Sequence, residues 1–505
     1  MNKRLAFTFL GLALASVSAS AQYGLEYDLS LTAGAGSGDF APYYLSSLRH
    51  GRYLDADNIQ AEAMVKRPMD RDRRFSYGFG LDLIAGYSSA VDYQRYDVDG
   101  DQWYGHSVRP SSMRVQQVYF DLRYRSIFLS AGMKERGSAL LNNRLTSGDL
   151  IESGNARPIP QLRAGFTDFQ DIPFTDGWLQ IQGEIAYGKK MDNGWWRDHY
   201  NYYNGFISRN EYYNYKRCYF RTRPSERFSV TFGMQAAGAF GGTTDFYEKG
   251  VFMKSETRPV KARTIFQMLL PMQDGGELFY SGNHLGSWDF RARYRLKDDR
   301  EIYAYFSWPF EDGSGIAKKN GWDGLWGLEY RSPEPAIISG VVVEYLDFTN
   351  QSGPIHYKPD DFPGTTVTGH VSGTDDYYNH SFYNSYAYYG MSIGTPAIMS
   401  PAYNLDGYNK FAANVMRGFH VGIEGTVSPS VDYRVKCGYR KAYGDAQILL
   451  PRPIHLTSFM AEVDWAPRSL PSLSVNAAVS YDSGTMPCRA FGSMVTVKYR
   501  GLLNL

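Results

Sequence analysis

Apolar and polar residues alternate with period two along most of the chain. Between residues 75 and 87, large apolar residues alternate with small or polar ones, and residues 228–236 and 473–481 repeat the pattern. Such alternation is typical of β-strands with one apolar face. We place about 18 segments of this kind, at 23–34, 54–66, 74–88, 113–124, 126–134, 159–168, 177–188, 215–222, 227–237, 286–296, 301–308, 323–331, 336–347, 412–427, 431–442, 455–465, 472–481 and 489–499.

The most informative hairpin lies within residues 282–315. Folding the chain about Asp298 pairs apolar residues across the two strands: Trp288 with Trp308, Phe290 with Phe306, and Ala292 with Ala304. A slip of one residue would mix the two faces, so this register is well specified. The opposite face is polar and carries Asp289, Arg291, Arg293 and Arg295. The apolar face suits either a second sheet in a soluble sandwich or the lipid around a membrane barrel.

The lengths of the connections between segments favour the barrel. Short, charged or proline-bearing connections alternate with long ones, the latter at about 89–112, 135–158, 189–214, 238–285 and 348–411. Outer-membrane barrels have short periplasmic turns and long extracellular loops. We therefore predict an all-β fold: a single transmembrane barrel of about 18 antiparallel strands in the outer membrane of a Gram-negative bacterium, with Trp288 and Trp308 in its outer aromatic girdle. A soluble, exported all-β protein is the alternative.

The N-terminal residues have the three parts of a secretory signal. Lys3 and Arg4 precede an apolar core at 5–15, and small residues occupy 19–21. We expect residues 1–21 to be a signal peptide and residues 22–505 to form the barrel with its loops. Beyond the signal no apolar run approaches the length of a transmembrane helix. Residues 260–271, inside one long connection, favour a short amphipathic helix.

Composition excludes several classes of protein. The formal net charge is +1, so nucleic-acid binding is not indicated. The three cysteines are too few for a disulfide framework and lack the spacing of a metal site, so we place them in the barrel wall or rim: Cys218, Cys437 and Cys488. Glu311-Asp312-Gly313 lacks the alternating carboxylates of a calcium loop. The sequence predicts no metal and no cofactor.

Four stretches resemble the capsule-assembly Wzi-type outer-membrane proteins, in the form found in Bacteroides-like bacteria. They are 147–162 with 171–178, the opening of the hairpin at 282–290, residues 309–330, and 341–357 with 376–396. The resemblance implies an 18-stranded barrel that anchors capsular polysaccharide by lectin-like binding rather than by export through a pore. Enterobacterial members carry a periplasmic helical segment before the barrel. Here the first predicted strand begins at Tyr23, so that segment's role is not carried over.

Two long connections are rich in tyrosine, tryptophan and asparagine, at 194–215 and 376–390. Aromatic faces beside amide and carboxylate groups suit the C–H faces and hydroxyls of sugars. The candidate polysaccharide-binding residues are Trp195, Trp196, Tyr200, Tyr202, Tyr203, Tyr377, Tyr378, Tyr383 and Tyr388, joined by Asn155, Arg157, Asn283 and His284 at the barrel rim. The alternative is that these residues pack the loops together, form the outer girdle, or fold loops into the barrel mouth.

The inward faces of the strands carry both signs of charge, including Asp289, Arg291, Arg293, Arg295, Glu424, Arg434 and Lys436. An ion-paired lumen network is one interpretation, and an anion-selective channel is the other. His420 faces inward near Glu424, but no nucleophile motif accompanies it, so the sequence does not favour an enzyme.

The sequence therefore predicts an outer-membrane protein that anchors or organises capsular or other surface polysaccharide through its external loops. The alternative function is a diffusion channel for anionic or sugar solutes. The expected partners are polysaccharide and outer-membrane lipid, and polysaccharide export machinery is a further candidate.

Overall fold

The computed structural model describes residues 24–269, 282–311, 313–316, 318–352, 375–446, 448–487 and 489–503. The β-strands in chain order are β1 (Leu25–Gly36), β2 (Asn58–Arg67), β3 (Phe75–Ser88), β4 (Val91–Asp97), β5 (Gln102–Val108), β6 (Met113–Tyr124), β7 (Ile127–Met133), β8 (Gln161–Phe166), β9 (Gln170–Asp171), β10 (Leu179–Lys189), β11 (Gly205–Arg209), β12 (Tyr212–Thr222), β13 (Phe228–Phe240), β14 (Gly242–Glu248), β15 (Val251–Arg258), β16 (Asn283–Arg295), β17 (Glu301–Phe310), β18 (Gly324–Arg331), β19 (Gly340–Asp347), β20 (Ala387–Tyr388), β21 (Met391–Ser392), β22 (Val415–Ser428), β23 (Val431–Gly444), β24 (Leu449–Trp465), β25 (Leu473–Gly484) and β26 (Ala490–Leu503).

Within the described residues, four short α-helices and one 3₁₀ helix lie in the connections. They are α1 (Tyr43–Ser46), α2 (Asn193–His199), α3 (Ala262–Leu269), α4 (Gly313–Ile316) and the 3₁₀ helix Pro401–Tyr403. Helix α3 overlaps the helix predicted at 260–271, of which residues 270 and 271 lie outside the described part. Within the described residues, no helix is both long and apolar enough to cross a membrane.

The strands close into an antiparallel barrel. Each wall strand pairs with the next one along the chain, and β1 pairs with β26 from Leu25↔Leu503 to Gly36↔Gly492. Because β8 and β9 both pair with β10, they form one interrupted strand, and the barrel has 18 strands. The predicted closed barrel is confirmed, and each of the predicted segments overlaps one wall strand.

The hairpin β16–β17 has the predicted register. Trp288 lies opposite Trp308, Phe290 opposite Phe306, and Ala292 opposite Ala304. The outward face of the barrel is apolar, since Phe232 and Phe290 are among many large apolar side chains left exposed. The inward face is polar, with Asp289 and Glu329 buried in the lumen. An apolar exterior around a polar interior is the arrangement that a lipid bilayer requires.

Strand β1 begins and β26 ends at the end of the barrel where short turns join the strands, and the long connections lie at the other end. Two short strand-to-strand turns illustrate the first end, 223–227 and 296–300, whereas residues 241–282 and 348–414 connect strands at the second. We name the second end the long-loop end; it faces outward from the cell in barrels of this class. Three further paired segments lie there: β4–β5, β11–β14–β15 and β20–β21.

Candidate functional site

The connection between β7 and β8 does not stay outside the barrel but crosses its lumen. We name residues 138–157 the lumen segment. Thr146 Oγ1 and the backbone N–H of Ser147 each donate a hydrogen bond to Glu344 on β19, both at 2.6 Å, and the Tyr305 hydroxyl donates to the same carboxylate at 2.7 Å. Gln235 on β13 donates to Asp149 at 2.8 Å. The sequence expectation of an external loop at 135–158 therefore differs from the structure, because the polar groups of this segment pair with inward-facing wall residues.

A second long connection covers the lumen segment at the long-loop end. We name residues 375–414 the cap segment. The Tyr378 hydroxyl donates to the carbonyl of Leu150 at 2.5 Å, and the Tyr386 hydroxyl donates to that of Ile151 at 2.8 Å. Ser153 Oγ donates to the carbonyl of Gly394 at 2.6 Å. Leu150 and Ile151 are buried between the two segments, which makes this layer part of the main apolar core.

Most of the charged residues predicted to line the lumen are held by specific partners. Arg291 pairs with Glu329 at 2.8 Å, and Arg295 pairs with Glu301 at 3.4 Å. The remaining members contact wall, turn or lumen-segment groups: Arg293 donates to carbonyls in the 223–227 turn, Glu424 pairs with Arg144, Arg434 pairs with Glu462, Asp289 accepts from Tyr219, and Lys436 lies 6.0 Å from the Tyr44 ring. This arrangement fits the ion-paired interpretation of the row better than a row of free cations.

His420, the inward histidine considered for an enzyme, is held by hydrogen bonds at both ring nitrogens. Its Nε2 lies 2.6 Å from the carbonyl oxygen of Leu145, and its Nδ1 lies 2.8 Å from the Tyr44 hydroxyl. These contacts tie the lumen segment and helix α1 to the wall, so His420 has a structural role here. Among the described residues there is no group of three or more His, Cys, Asp or Glu side chains that could hold a metal ion.

Glu311, which belongs to the fragment compared above with a calcium loop, holds the first residues of the cap segment. It accepts hydrogen bonds from the backbone N–H groups of Tyr378 at 2.8 Å and Asp376 at 3.3 Å. Burial raises the pKa of Glu311 well above its usual range, and the nearby Asp375 carboxylate adds to the shift. Asp312 lies outside the described residues.

Of the cysteines, Cys218 lies on β12 and Cys437 lies exposed on β23, so both are wall residues as expected. Cys488 lies outside the described residues.

Most of the residues predicted to bind polysaccharide are buried in the packing of the loops. The buried ones are Trp196, Tyr200, Asn155, Asn283, His284, Tyr377, Tyr378, Tyr383 and Tyr388. Asn155 illustrates why: its Oδ1 accepts from the N–H of Leu48 at 3.0 Å, and its Nδ2 donates to the carbonyl of Ser392 at 3.0 Å. A buried side chain presents no face to an external polymer in this conformation. For these positions the structure favours loop packing, the alternative that the sequence left open.

Four of the predicted residues keep a partly accessible side chain: Trp195, Arg157, Tyr202 and Tyr203. Trp195 stacks on His199 with ring centroids 3.8 Å apart, and Arg157 lies 4.1 Å from the ring of Tyr389. Tyr202 and Tyr203 also contact aromatic rings of neighbouring loops.

Tyr202 and Tyr203 belong to a group of aromatic rings that three separate connections bring together. We name it the outer aromatic cluster; its members are Tyr96, Trp103, Tyr202, Tyr203, Tyr247 and Phe252. The ring centroids of Trp103 and Tyr203 are 4.9 Å apart, and those of Tyr202 and Tyr247 are 5.2 Å apart. Trp103 and Phe252 are 44% and 53% exposed, so the cluster offers open ring faces to solvent.

Backbone hydrogen bonds fix the three connections to one another. The N–H of Tyr96, on hairpin β4–β5, donates to the carbonyl of Asn201 at 3.1 Å. The N–H of Gly250, in the turn of hairpin β14–β15, donates to the carbonyl of Tyr203 at 2.9 Å. Gly250 has φ +82°, and an added Cβ would lie 2.6 Å from the Tyr96 ring, so this close approach requires glycine. The rings are thus preorganised on paired strands.

An open cleft of about 670 Å³ adjoins the cluster. Aromatic, amide and charged groups line it: Asn204, Gly205, Phe246, Tyr247, Glu248, Lys249, Met253 and Lys254. We name it the outer cleft. Its volume falls in the range of small-molecule sites, and its lining combines apolar faces with donors and acceptors at the edge. Such a lining can bind a hydroxyl-rich ligand by stacking and by directed hydrogen bonds.

The layer below the cluster is a buried polar support. His199 Nδ1 lies 2.6 Å from the carbonyl oxygen of Trp195, and burial lowers the pKa of His199 to about 4. The Asp192 carboxylate accepts hydrogen bonds from the Trp196 indole at 2.9 Å and from the N–H of Tyr389 at 3.0 Å. Burial raises the pKa of Asp192 to about 6, a shift that the charge of Lys190 opposes. These contacts hold α2 against the cap segment.

Sequence analysis missed Tyr96, Trp103, Tyr247 and Phe252. A signal was present, because residues 91–108 and 242–258 each read as two short strands about a glycine-bearing turn, at Gly100 and Gly250. The stretch 89–112 was instead predicted as one long loop. The contact between these hairpins and Tyr203 joins residues more than forty positions apart along the chain, and period-two patterning does not encode it.

Comparison with known proteins supports the class of fold. No protein-family model matches the chain, and no curated protein sequence matches it. Among solved structures it is similar to Wzi of Escherichia coli, a carbohydrate-binding β-barrel involved in group 1 capsule assembly, with a TM-score of 0.54, 11% identity, and coverage of 100% of this chain and 88% of that one. The chain is an outer-membrane β-barrel.

Two further structural matches are outer-membrane proteins of other organisms. OccAB2 of Acinetobacter baumannii has a TM-score of 0.45 and 11% identity, covering 95% of this chain and 98% of that one. OprD of Pseudomonas aeruginosa has a TM-score of 0.44 and 10% identity, covering 96% and 97% respectively. At identities this low the likeness concerns the fold alone.

Proposed function

We propose that this barrel anchors or organises capsular or other surface polysaccharide at the cell surface, and that it binds the polymer at its long-loop end. The observation that carries the proposal is the outer aromatic cluster, an accessible and preorganised surface above a lumen that the protein's own segments occupy. The carbohydrate-binding Wzi barrel, similar in fold, is consistent with this function. So are the stretches of sequence that resemble the Wzi-type proteins.

The chemistry of the outer aromatic cluster and of the adjoining outer cleft suits sugar residues. Trp103 and Phe252 offer flat faces for the C–H side of a pyranose ring. Asn204 keeps an amide at the edge of the cleft, and its Oδ1 already accepts from the N–H of Lys249 at 2.7 Å, which fixes its orientation. Lys249 and Lys254 supply cationic donors for hydroxyl or carboxylate groups. Repeating units along a polymer would allow many such weak contacts to add up.

A diffusion channel is the second candidate, and one observation favours it. Lumen cations near the short-turn end are partly open to solvent, with the side chains of Arg295 and Arg331 33% and 39% exposed. Cations in a wet lumen attract anionic solutes. The lumen segment and the cap segment argue against a channel, because their hydrogen bonds to opposite walls would have to break before a solute could pass.

Binding measurements on the whole protein test the proposal. Polysaccharide isolated from the same cells is titrated against detergent-solubilised protein, with the wild type compared with the Trp103→Ala, Tyr203→Ala double variant. We expect the double variant to bind at least about tenfold more weakly, since removing two stacking faces removes about 1 kcal/mol or more each. Trp322→Ala is the matched control, because Trp322 is 73% exposed in a different connection.

Two outcomes contradict the proposal. Equal affinity of the wild type and the double variant would remove the outer aromatic cluster as the site. Absence of binding by the wild type, combined with steady open conductance in planar bilayers, would favour the channel. The Trp195→Ala and Trp196→Ala variants extend the test to the layer below, where an unchanged affinity would exclude Trp195 and Trp196 as contacts.

A further inference from the structure

Helix α3 lies on the outside of the barrel wall rather than above its mouth. The Tyr187 hydroxyl on β10 donates to the carbonyl of Ile265 at 2.8 Å, and Lys216 Nζ on β12 donates to the carbonyl of Met268 at 2.5 Å. Glu184 on β10 and Arg217 on β12 face the lumen, and side chains alternate along a strand. Tyr187 and Lys216 each lie an odd number of residues from these positions, so they face away from the lumen. The helix is therefore tied to the outward surface at two points.

The wall is shaped to receive this helix. The Met268 side chain is fully buried, and a Cβ added to Gly238 on β13 would lie 2.7 Å from its terminal methyl group. Glycine at 238 thus allows the helix to approach the backbone of the wall closely. The helix also covers Asn214 and Lys216, polar side chains on a face that is otherwise apolar. Lys216 donates to Asn214 Oδ1 at 3.1 Å, and the carbonyl of Met268 gives it a further acceptor on a face where lipid offers none.

Wall register gives the height of the helix. Cys218 pairs with Met234, which pairs with Trp288, a residue of the predicted outer girdle. Lys216 lies two residues further toward the long-loop end, which corresponds to about 7 Å along a strand. Along β12 the helix therefore lies on the long-loop side of Cys218 and of the outward apolar band. Its open side continues the apolar surface formed by Phe232 and Phe290 below it.

The side of α3 that faces away from the wall is apolar with a basic end. Ile265 and Phe266 are 43% and 53% exposed, and Lys261 and Arg263 are exposed at the N-terminal end of the helix. A helix with an apolar face and adjacent Lys or Arg residues lies in the interface of an anionic membrane. We propose that α3 is a lipid-contact element, with Ile265 and Phe266 among outer-leaflet acyl chains and with Lys261 and Arg263 beside anionic headgroups.

This inference is independent of the polysaccharide proposal, and quenching by brominated lipid tests it. The full-length chain, with its three cysteines replaced by serine, receives Phe266→Cys, is labelled with an environment-sensitive fluorophore, and is refolded into phosphatidylcholine vesicles. We expect quenching comparable with that of a label at Phe232→Cys on the lipid-facing band. A label at Thr257→Cys, on strand β15 of the β14–β15 hairpin, should remain unquenched. Quenching at position 266 as low as at position 257 would overturn the proposal.

The basic end has a separate test. The thermal midpoint of the folded barrel is measured in phosphatidylcholine vesicles with and without phosphatidylglycerol. We expect the anionic lipid to raise the midpoint of the wild type, and the Lys261→Gln, Arg263→Gln double variant to lose that increment. The charge-matched control, Arg197→Gln with Lys410→Gln, lies in the loops above and should keep it. If both double variants respond alike, the headgroup contact is refuted.

Discussion

Glu344 is the wall residue on which the position of the lumen segment depends most. Its buried carboxylate accepts hydrogen bonds from Thr146, Ser147 and Tyr305. In Glu344→Ala these three donors lose a charged acceptor, and each buried donor left without a partner destabilises the packed state by about 1–3 kcal/mol. A total of about 3 kcal/mol or more raises the population in which the lumen segment is released by about a hundredfold.

Hydrogen exchange of residues 138–157, measured by mass spectrometry on the intact barrel, reads out that release. We expect protection in this segment to fall by about two orders of magnitude in Glu344→Ala, with the wall strands β24–β26 unchanged. Single-channel recording should show long closures in the wild type and frequent openings in the variant. Glu301→Ala is the matched control, since Glu301 is an inward carboxylate whose partners are Arg293 and Arg295. Equal exchange in Glu344→Ala and Glu301→Ala would refute this account of the lumen segment.

Three further predictions concern the loops. Burial lowers the pKa of His199 to about 4, whereas the unfolded value is about 6.5. The contribution of neutral His199 to stability is therefore complete above about pH 6.5 and is lost as the pH falls toward 4. The hydrogen-exchange protection factors of residues 193–199 should drop between pH 7 and pH 5, and His199→Asn should flatten this pH profile. Gly390→Ala places a Cβ 2.1 Å from the Trp195 ring at φ +69°, so the cap segment should become protease-sensitive at a lower temperature, and an unchanged digestion profile would contradict the packing. Trp103→Ala alone should weaken polysaccharide binding by about three- to tenfold without changing the melting temperature, because its ring is largely exposed.

The barrel itself is readable from sequence because its determinants are local. The pairs Trp288–Trp308 and Phe290–Phe306 follow from period-two alternation about a turn at Asp298, and the lipid-facing side follows from where the apolar residues fall. Each strand pairs with its neighbour along the chain, so one correct hairpin constrains the next. The helix at 262–269 was predictable on the same basis, although its attachment to Tyr187 and Lys216 was not.

The lumen and the loops resist the same approach because their contacts are distant in sequence and chemically nonspecific. Tyr378 was predicted to bind sugar, and Tyr386 lies in the same predicted stretch, yet both donate to carbonyls of the lumen segment more than two hundred positions away. Amino-acid composition does not distinguish a tyrosine that packs a loop from one that stacks on a sugar. Only the fold separates them, and it leaves Trp103 and Tyr203 accessible where Tyr378 and Tyr386 are buried.

The most direct test of the polysaccharide-anchoring proposal is the distribution of surface polysaccharide in cells that lack this barrel. Cell-attached and released polysaccharide are quantified in a deletion strain, and in that strain complemented with the wild type or with the Trp103→Ala, Tyr203→Ala variant. The account predicts that polysaccharide moves from the cell to the medium in the deletion strain, returns with the wild type, and does not return with the variant. Full retention of cell-attached polysaccharide in the deletion strain, with none released, would contradict the account.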